Sequence, residues 1–180
     1  MPRLFTGIEV PADVGEALAR ARGALTGARW IEPTDYHVTL RFLGDVDETV
    51  AQALHEGLVA ARVRPPLNLV LDGLGVFGGD KPRSLLATVA SDPTLTDLQA
   101  EHERLARDAG AAPDTRRFTP HVTLARLARQ VRAPDVARYL SEAGFFPPQH
   151  FTATRIALFS ARASTGGGPY LVESAYPLDG

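Results

Sequence analysis

The chain has 180 residues, of which 44% are hydrophobic and 22% are charged, and its formal net charge is −2. This balance is typical of one domain or two small fused lobes, and it argues against a protein that wraps nucleic acid through bulk charge. The absence of cysteine excludes disulfides, thiolate nucleophiles and cysteine-ligated metal sites. No apolar stretch has the length of a signal peptide or a membrane span, so we expect a cytoplasmic protein.

The first half of the chain predicts alternating strands and helices. Proline at a first turn, alanine-rich runs and apolar residues at helical spacing indicate the helices, and short β-branched or alternating runs indicate the strands. In chain order these are a strand over 4–9, a helix over 12–25, a strand over 37–44, a helix over 47–61, and strands over 67–74 and 84–89.

The tetrapeptide His-Val-Thr-Leu occurs twice, at 37–40 and at 121–124, so the second copy begins 84 residues after the first. Alternation along a strand puts the histidine and the threonine of each copy on one face, with valine and leucine on the other. Each copy therefore presents an imidazole and a hydroxyl together. Chance repetition of such a string is expected in only about one chain in a few hundred.

Shifting the first-half elements by the same interval predicts the second half. The shifted positions fall on helical stripes ending near Gly110 and Gly144, and on two stretches with strand character. The resulting elements are helices over 96–109 and 131–145 and strands over 151–158 and 168–173.

We therefore expect an α+β fold with duplicated architecture. The prediction is one bilobal domain over 1–180, with an internal repeat of about 84 residues over roughly 4–87 and 88–178. Each lobe is expected to be an antiparallel sheet flanked by helices. A pseudo-twofold axis would then make the two His-x-Thr strands face each other in a central cleft.

Two facing imidazoles suit general acid–base catalysis. A pKa near 6.5 lets one ring be neutral while the other is protonated, so His37 and His121 could manage protons on opposite sides of one centre. The hydroxyls of Thr39 and Thr123 would hold the non-bridging oxygens of a phosphate between them. In-line displacement at phosphorus needs this geometry, and a strained cyclic phosphodiester would need no metal.

The other charged and histidine residues carry weaker signals. Five arginines and no acidic residue occur from 116 to 132, which collects positive charge around the second motif, at positions 116, 117, 126, 129 and 132. His55 and His102 fall on predicted helices and His150 in a predicted loop, which favours structural roles for all three.

Further stretches beyond the tetrapeptides match one family from end to end. They are Arg29 to Pro33, His37 to Gly44, Gly75 to Phe77, Phe118 to Arg126, Gly167 to Tyr170 and Tyr176 to Leu178. On these residues the chain resembles the two-histidine phosphoesterase superfamily, and specifically the RNA 2′,3′-cyclic phosphodiesterases, also called 2′-5′ RNA ligases.

The resemblance implies hydrolysis of an RNA 2′,3′-cyclic phosphate end to a 2′-phosphomonoester, without a metal or nucleotide cofactor. It implies that His37 is the proton donor to the departing 3′-oxygen and that His121 is the proton acceptor that activates water. Thr39 and Thr123 would contact the phosphate. The expected partner is RNA with a cyclic phosphate end, such as a tRNA half, and the expected state is a monomer that is not bound to a membrane.

Three further residues are candidates for substrate binding. Arg126 resembles a phosphate-contacting arginine of the family, and Phe42 is a candidate to stack on the terminal base. Strict alternation puts Arg126 on the face opposite His121, so it reaches the phosphate only if the strand twists, bulges or ends near Ala125. Arg41 has the parity of a cleft residue and is the second choice.

Other functions use the same predicted cleft. One is ATP-independent 2′-5′ ligation, in which a 5′-hydroxyl replaces water as the nucleophile. Another is a phosphodiesterase for small cyclic nucleotides, and a third is a non-catalytic module that binds RNA ends. Two intact His/Thr pairs argue against the last of these.

Overall fold

The computed structural model describes residues 2–161 and 168–179, so Gly167 of one matching stretch lies outside the described residues. These residues form an α+β fold with nine strands and four α-helices. The strands are β1 (Arg3–Glu9), β2 (Ala28–Trp30), β3 (His37–Asp45), β4 (Leu67–Phe77), β5 (Ser84–Val89), β6 (His121–Leu127), β7 (Gln149–Ala153), β8 (Arg155–Ala161) and β9 (Tyr170–Pro177). The helices are α1 (Ala12–Ala19), α2 (Glu48–Ala60), α3 (Pro93–Asp108) and α4 (Ala133–Ala143), with a 3-10 turn at Pro33–Asp35.

The strands build one antiparallel sheet. Its order is β7-β4-β5-β6-β3-β1-β8-β9, and β2 pairs with β6 beside this path. The sheet has two sides, β7-β4-β5-β6 and β3-β1-β8-β9, which join where β3 meets β6 at Val38 and Val122, and each side contains strands from both predicted halves of the sequence. We call these two residues the junction valines. The α+β class and the antiparallel pairing are confirmed, and the sheet is continuous across the cleft.

Residues 84 positions apart face each other at two places in the sheet. One place is the pair of junction valines, and the other is Asn68 with Thr152, whose hydroxyl donates to Asn68 Oδ1 at 2.8 Å. A residue that pairs with its own repeat equivalent lies on the axis relating the two halves, so both pairs support the pseudo-twofold arrangement. The repeat boundaries at 4–87 and 88–178, and the single domain over 1–180, stay a prediction.

The helices pack on one face of the sheet and leave the motif face open. Apolar side chains of α1 and α3 share a buried cluster with the junction valines and with Leu40 and Leu124. Apolar residues of α4 pack against Leu85 and Ala125 on the same side. Because side chains alternate along a strand, the histidine and the threonine of each motif lie on the opposite face.

Two predicted elements differ from the structure. Helix α1 ends at Ala19 instead of continuing to residue 25, because glycine at 23 disfavours helix and the Arg22 guanidinium donates to Ile31 O at 2.7 Å, which holds the chain in a turn. The predicted strand over 151–158 is two strands that separate at Thr154. The Thr154 carbonyl accepts a hydrogen bond from the Leu178 amide at 2.8 Å. At this residue the chain stops pairing with β4 and begins pairing with β1.

Candidate active site

The junction of β3 and β6 brings the two His/Thr pairs together. The junction valines are 0% exposed, and the antiparallel register beside them puts each histidine opposite the threonine of the other motif. We call His37, Thr39, His121 and Thr123 the catalytic tetrad, after the roles that the sequence predicts for them; these roles stay predictions. The two histidines are diagonal neighbours across this strand pair, and such neighbours lie roughly 7–8 Å apart. The space between them suits one tetrahedral group.

Each imidazole is oriented by the carbonyl two residues before it. His37 Nδ1 donates to Asp35 O at 2.9 Å, and His121 Nδ1 donates to Thr119 O at 2.7 Å. A carbonyl only accepts, so Nδ1 carries the hydrogen in each neutral ring and Nε2 carries the lone pair. In His37 this lone pair accepts from the Thr39 hydroxyl at 3.0 Å. In both rings Nε2 is therefore the nitrogen that is left to exchange a proton.

The two histidines differ in their enclosure. The rings around His37 are Phe5 at 4.7 Å, Phe159 at 5.6 Å and Tyr170 at 5.0 Å between centroids. His121 contacts Phe77 edge-on at 4.7 Å. The backbone amide of Tyr170 also donates to Asp35 Oδ1 at 3.3 Å, which ties the last strand to the segment that orients His37.

Burial lowers the pKa of both imidazoles. The pKa of His37 is lowered from 6.5 to about 4, chiefly by desolvation and to a smaller extent by the charges of His121 and Arg126, while the hydrogen bond to the Asp35 carbonyl opposes the change. Desolvation and the charge of Arg126 also lower the pKa of His121. Both rings are therefore neutral near pH 7 in the free protein. An anion bound between them favours the imidazolium form and raises both pKa values.

A β-bulge in each motif strand changes which residues face the cleft. The register of β3 against β1 skips Leu40, and the register of β6 against β5 skips Leu124. Alternation is inverted after each skip, so Phe42 and Arg126 lie on the face of the catalytic tetrad. Both side chains are exposed, Phe42 by 40%. The sequence predicted that Arg126 reaches the cleft only if its strand twists, bulges or ends near Ala125, and the bulge at Leu124 meets this condition.

Arg126 contributes positive charge near both imidazoles. Its charge lowers the pKa of each histidine, and its guanidinium donates to Ser84 Oγ at 3.2 Å. Ser84 is the register partner of Arg126 on β5. Contact of Arg126 with a substrate phosphate stays a prediction, as does stacking of a base on Phe42.

Arg41 lies on the helix side of the sheet, which corrects its placement from sequence. Its side chain is 5% exposed, and its guanidinium donates to Glu103 on α3 and to the carbonyls of Phe42 and Ala112. The bulge at Leu40 inverts the alternation, so Arg41 enters the core instead of the cleft. Because its nitrogens are engaged there, Arg41 is not available for a phosphate in the cleft.

The cleft wall beside His121 includes residues that the sequence reasoning did not select. A cavity of about 240 Å³ is lined by Thr39, Phe42, Phe77 and His121, and by Arg117 and Phe118 from the segment that precedes β6. Charge clustering and adjacency to the second motif could have indicated Arg117 and Phe118. The rings of Phe5 and Phe159 carry no comparable signal, because they reach His37 only through pairing of strands distant in sequence.

Two of the remaining histidines have the structural environments expected. His102 is 3% exposed, and its Nδ1 bonds to Thr6 Oγ1 at 2.7 Å. His55 Nδ1 bonds to the Tyr176 hydroxyl at 2.8 Å. His150 was expected in a loop but lies in β7, where pairing of β7 with β4 extends the sheet edge.

Within residues 2–161 and 168–179, no group of three or more His, Asp or Glu side chains could hold a metal ion. Among the helices of the described part of the chain, none has the length and apolarity needed to cross a membrane.

The sequence profile of the 2′-5′ RNA ligase superfamily matches residues 10–165, which is most of the chain. This protein belongs to the 2′-5′ RNA ligase superfamily. A protein of Aeropyrum pernix named RNA 2′,3′-cyclic phosphodiesterase is 35% identical over 133 residues, which is 71% of this chain and 75% of the relative. A Bacillus subtilis protein of the same name is 29% identical over 169 residues, covering 91% of this chain and 86% of the relative.

Solved structures of the superfamily share the fold. The crystal structure of Escherichia coli LigT complexed with 3′-AMP has a TM-score of 0.77, with 24% identity over 99% of each chain. This likeness confirms the α+β fold. Superfamily membership confirms the resemblance read from the two motifs, and the roles of individual site residues stay predictions.

Proposed function

We propose that this protein hydrolyses the 2′,3′-cyclic phosphate at the end of an RNA to a 2′-phosphomonoester. The observation that carries the proposal is the catalytic tetrad: two imidazoles diagonal to each other on one face, each with a threonine hydroxyl beside it and Nε2 as its exchangeable nitrogen. The superfamily relatives named RNA 2′,3′-cyclic phosphodiesterase support the substrate class.

In-line hydrolysis assigns one imidazole to each side of phosphorus. His37 donates a proton to the departing 3′-oxygen, and His121 accepts a proton from the attacking water. The hydroxyls of Thr39 and Thr123 donate to the non-bridging oxygens, where negative charge grows in the transition state. Arg126 adds positive charge at the same face.

Protonation of the donor follows from the charge of the substrate. The free protein holds both imidazoles neutral, because burial lowers both pKa values. A phosphodiester anion between the rings raises these pKa values, so on binding His37 takes up from solvent the proton that it then donates to the leaving oxygen. An imidazolium in a desolvated site is also a strong acid, which fits the aromatic surroundings of His37 as the donor.

The reaction is proposed to need no metal. A five-membered cyclic diester is strained, so proton transfer and hydrogen bonds to the phosphoryl oxygens are sufficient to open it. The hydroxyl and guanidinium groups of the cleft are donors to anions, and the tetrad contains no carboxylate, the side chain through which proteins usually bind Mg²⁺.

The direct test is incubation with an RNA oligonucleotide that ends in a 2′,3′-cyclic phosphate, with excess chelator, between pH 5 and 8. We expect an RNA that ends in a 2′-phosphomonoester, identified by chromatography against 2′- and 3′-phosphate standards. The double variant His37→Ala/His121→Ala should form no product, and His150→Ala, which removes an exposed imidazole in β7, should match the natural protein. Absence of hydrolysis throughout this pH range would contradict the proposal.

Ligation is the second candidate, because the superfamily is named for it and the same cleft could accept a 5′-hydroxyl in place of water. Adding an RNA with a 5′-hydroxyl end to the same reaction measures how the cyclic phosphate is divided between ligation and hydrolysis. A 2′-5′ linked product exceeding the hydrolysed ends would favour ligation. Mononucleotide 2′,3′-cyclic phosphates in a parallel series test whether the substrate is a small cyclic nucleotide. Binding of the substrate without turnover would indicate a non-catalytic module.

A cytoplasmic location and a monomeric state stay predictions.

A further inference from the structure

The carboxylate of Asp35 lies between the segment that orients His37 and the start of β9. Asp35 ends the 3-10 turn before β3, and its carbonyl accepts from His37 Nδ1 at 2.9 Å. Its carboxylate Oδ1 accepts from the Tyr170 amide at 3.3 Å. A Cβ atom at Gly168 would collide with Asp35 Oδ2, so the backbone of this segment packs directly on the carboxylate. One residue therefore holds the imidazole with its carbonyl and a distant strand with its carboxylate.

The contact between Asp35 and Tyr170 is not part of the sheet ladder. Strands β1 and β8 lie between β3 and β9 in the sheet order, which separates β3 from β9 by three strand spacings, roughly 14 Å. Tyr170 meets Asp35 across this interval, and its ring lies edge-on to His37 at 5.0 Å and to Phe5 at 5.2 Å between centroids. The start of β9 therefore covers the His37 side of the cleft.

The equivalent position in the second half has no carboxylate. Thr119 stands 84 residues after Asp35, and its carbonyl accepts from His121 Nδ1 at 2.7 Å, as the Asp35 carbonyl does from His37. The side chain of Thr119 is exposed. Within the described part of the chain, one aromatic ring, that of Phe77, contacts His121, whereas three contact His37. The carboxylate is therefore on the side of the more enclosed imidazole.

We propose that Asp35 is a positioning residue, whose carboxylate holds the start of β9 so that the Tyr170 ring covers the His37 imidazole. The effect on turnover rests on the proposed function, whereas the cover is a property of the free protein. This cover excludes water from one side of His37 and restrains the ring with Nε2 toward the tetrad. Asp35 acts through Tyr170 and does not itself contact the substrate.

Two effects of the Asp35 carboxylate on His37 have opposite signs, so an experiment can separate them. Enclosure by Tyr170 removes water and lowers the pKa of His37, whereas the negative charge of a nearby carboxylate raises it. The pKa of His37 is lowered to about 4, chiefly by burial. Loss of the Asp35 side chain should therefore raise the pKa of His37 if enclosure dominates, and lower it if charge dominates.

The remaining titratable groups around His37 are unchanged in this comparison. They are His121 and Arg126 on β6, Tyr170 on β9, and Glu9 on β1, whose carboxylate is paired with Arg155 on β8. Because the substitutions below remove none of these groups, a change in the pKa of His37 reports on the contact that Asp35 makes.

The first experiment measures the pKa of His37 in the free protein by NMR titration of its imidazole resonances. Asp35→Ala removes the acceptor and the charge, and it should raise this pKa by at least about 1, toward the usual value of about 6.5. Asp35→Asn keeps an acceptor for the Tyr170 amide without the charge and should retain the natural pKa. Gly168→Ala keeps the charge but displaces the carboxylate, so it should match Asp35→Ala. Thr34→Ala, which changes an exposed side chain of the same turn, should have no effect.

The second experiment measures hydrolysis of an RNA that ends in a 2′,3′-cyclic phosphate. Asp35→Ala should lower kcat about tenfold, because a less restrained His37 ring spends less time with Nε2 toward the leaving oxygen. KM should change by less than about twofold, since Asp35 does not contact the substrate. The pH optimum of kcat/KM should move toward neutral with the pKa of His37. Asp35→Asn should restore both kcat and this pH optimum.

The outcomes separate this inference from the proposed function. If the natural protein forms no product, the proposed function fails and the NMR titration alone decides the role of Asp35. An unchanged pKa of His37 in Asp35→Ala, or an equal fall in Asp35→Ala and Asp35→Asn, would overturn the inference while leaving hydrolysis intact. Thermal unfolding identifies a variant that does not fold, and if Asp35→Ala is that variant, the titration of Gly168→Ala decides the result.

Discussion

Removing Glu103 should weaken the protein and open the cleft wall, because this carboxylate links three segments. One of its oxygens accepts from Arg41 Nε on β3, and the other accepts from the Asp114 amide at 2.9 Å and from Arg107 Nε at 2.8 Å. Asp114 lies in the segment that continues to the cavity lining and to the Thr119 carbonyl, which orients His121. The perturbation is Glu103→Ala.

The expected loss of stability follows from burial. The side chains of Arg41 and Glu103 are 5% and 13% exposed, so Glu103→Ala leaves a buried guanidinium without its counterion. Breaking a buried ion pair from one side costs about 3–5 kcal/mol. Arg41 retains the carbonyls of Phe42 and Ala112 as acceptors, which favours the lower end, about 3 kcal/mol. Because domains are stable by about 5–15 kcal/mol, the variant should still fold.

The assay combines urea unfolding with kinetics. Arg41→Met and the double variant complete a thermodynamic cycle, in which the two losses should not add because the residues share one contact. KM should rise more than kcat falls, since the cleft wall moves and the tetrad stays on its strands. Glu142→Ala, an exposed glutamate on α4, should change stability by less than about 0.5 kcal/mol. A loss below about 1 kcal/mol for Glu103→Ala, or strict additivity in the cycle, would refute this reasoning.

Three further predictions concern the imidazoles and one helix cap. His37→Ala and His121→Ala should each lower kcat by about 10²–10⁴-fold with little change in thermal unfolding, and loss of less than tenfold in both would exclude acid–base roles. The lowered pKa values mean that the imidazoles of the free protein gain protons only at acidic pH, so the pH optimum of kcat/KM should lie below 6.5. Because a bound anion raises both pKa values, the pH optimum of kcat should lie higher than that of kcat/KM. An alkaline optimum of kcat/KM would contradict this. Asp92→Ala removes the cap that accepts from the Thr94 amide at 2.8 Å and should cost about 1 kcal/mol in urea unfolding without changing kcat/KM; a change in kcat/KM would show that α3 positions the site.

Much of the fold could be predicted because the chain repeats itself. The interval between the two His-Val-Thr-Leu motifs also separates the junction valines, and it carries the first-half elements onto those of the second half. Alternation then correctly separates Val38 and Leu40, which enter the core, from His37 and Thr39, which face the cleft. Local patterns are sufficient for these features because each concerns residues adjacent on one strand.

The residues that flank the tetrad could not be predicted by the same rule. Strict alternation gives Arg41 a position in the cleft and excludes Arg126, and the bulges at Leu40 and Leu124 reverse both assignments. A bulge depends on how a strand pairs with its neighbour, and single-strand periodicity does not contain that information. In the structure, each bulge is visible as two consecutive buried residues. Leu40 and Arg41 are consecutive buried positions, as are Leu124 and Ala125.

The aromatic surroundings of His37 have a different origin. Phe5 and Phe159 reach the ring from β1 and β8, which are far apart in the chain, and Tyr170 reaches it from β9. Only the strand order brings these residues to one place. The depressed pKa of His37 is therefore a property of the sheet topology, and it could not be inferred from the motif.

The most direct test of the assigned roles uses a 2′,3′-cyclic phosphate with sulfur in place of the 3′-oxygen. A thiolate leaves without a proton, so the substrate removes the need for a general acid and retains the need for a base. If His37 donates to the leaving atom and His121 activates water, His37→Ala should regain most of its lost kcat on the sulfur substrate, and His121→Ala should regain none. Recovery by His121→Ala instead, or equal losses by both variants on both substrates, would contradict the account.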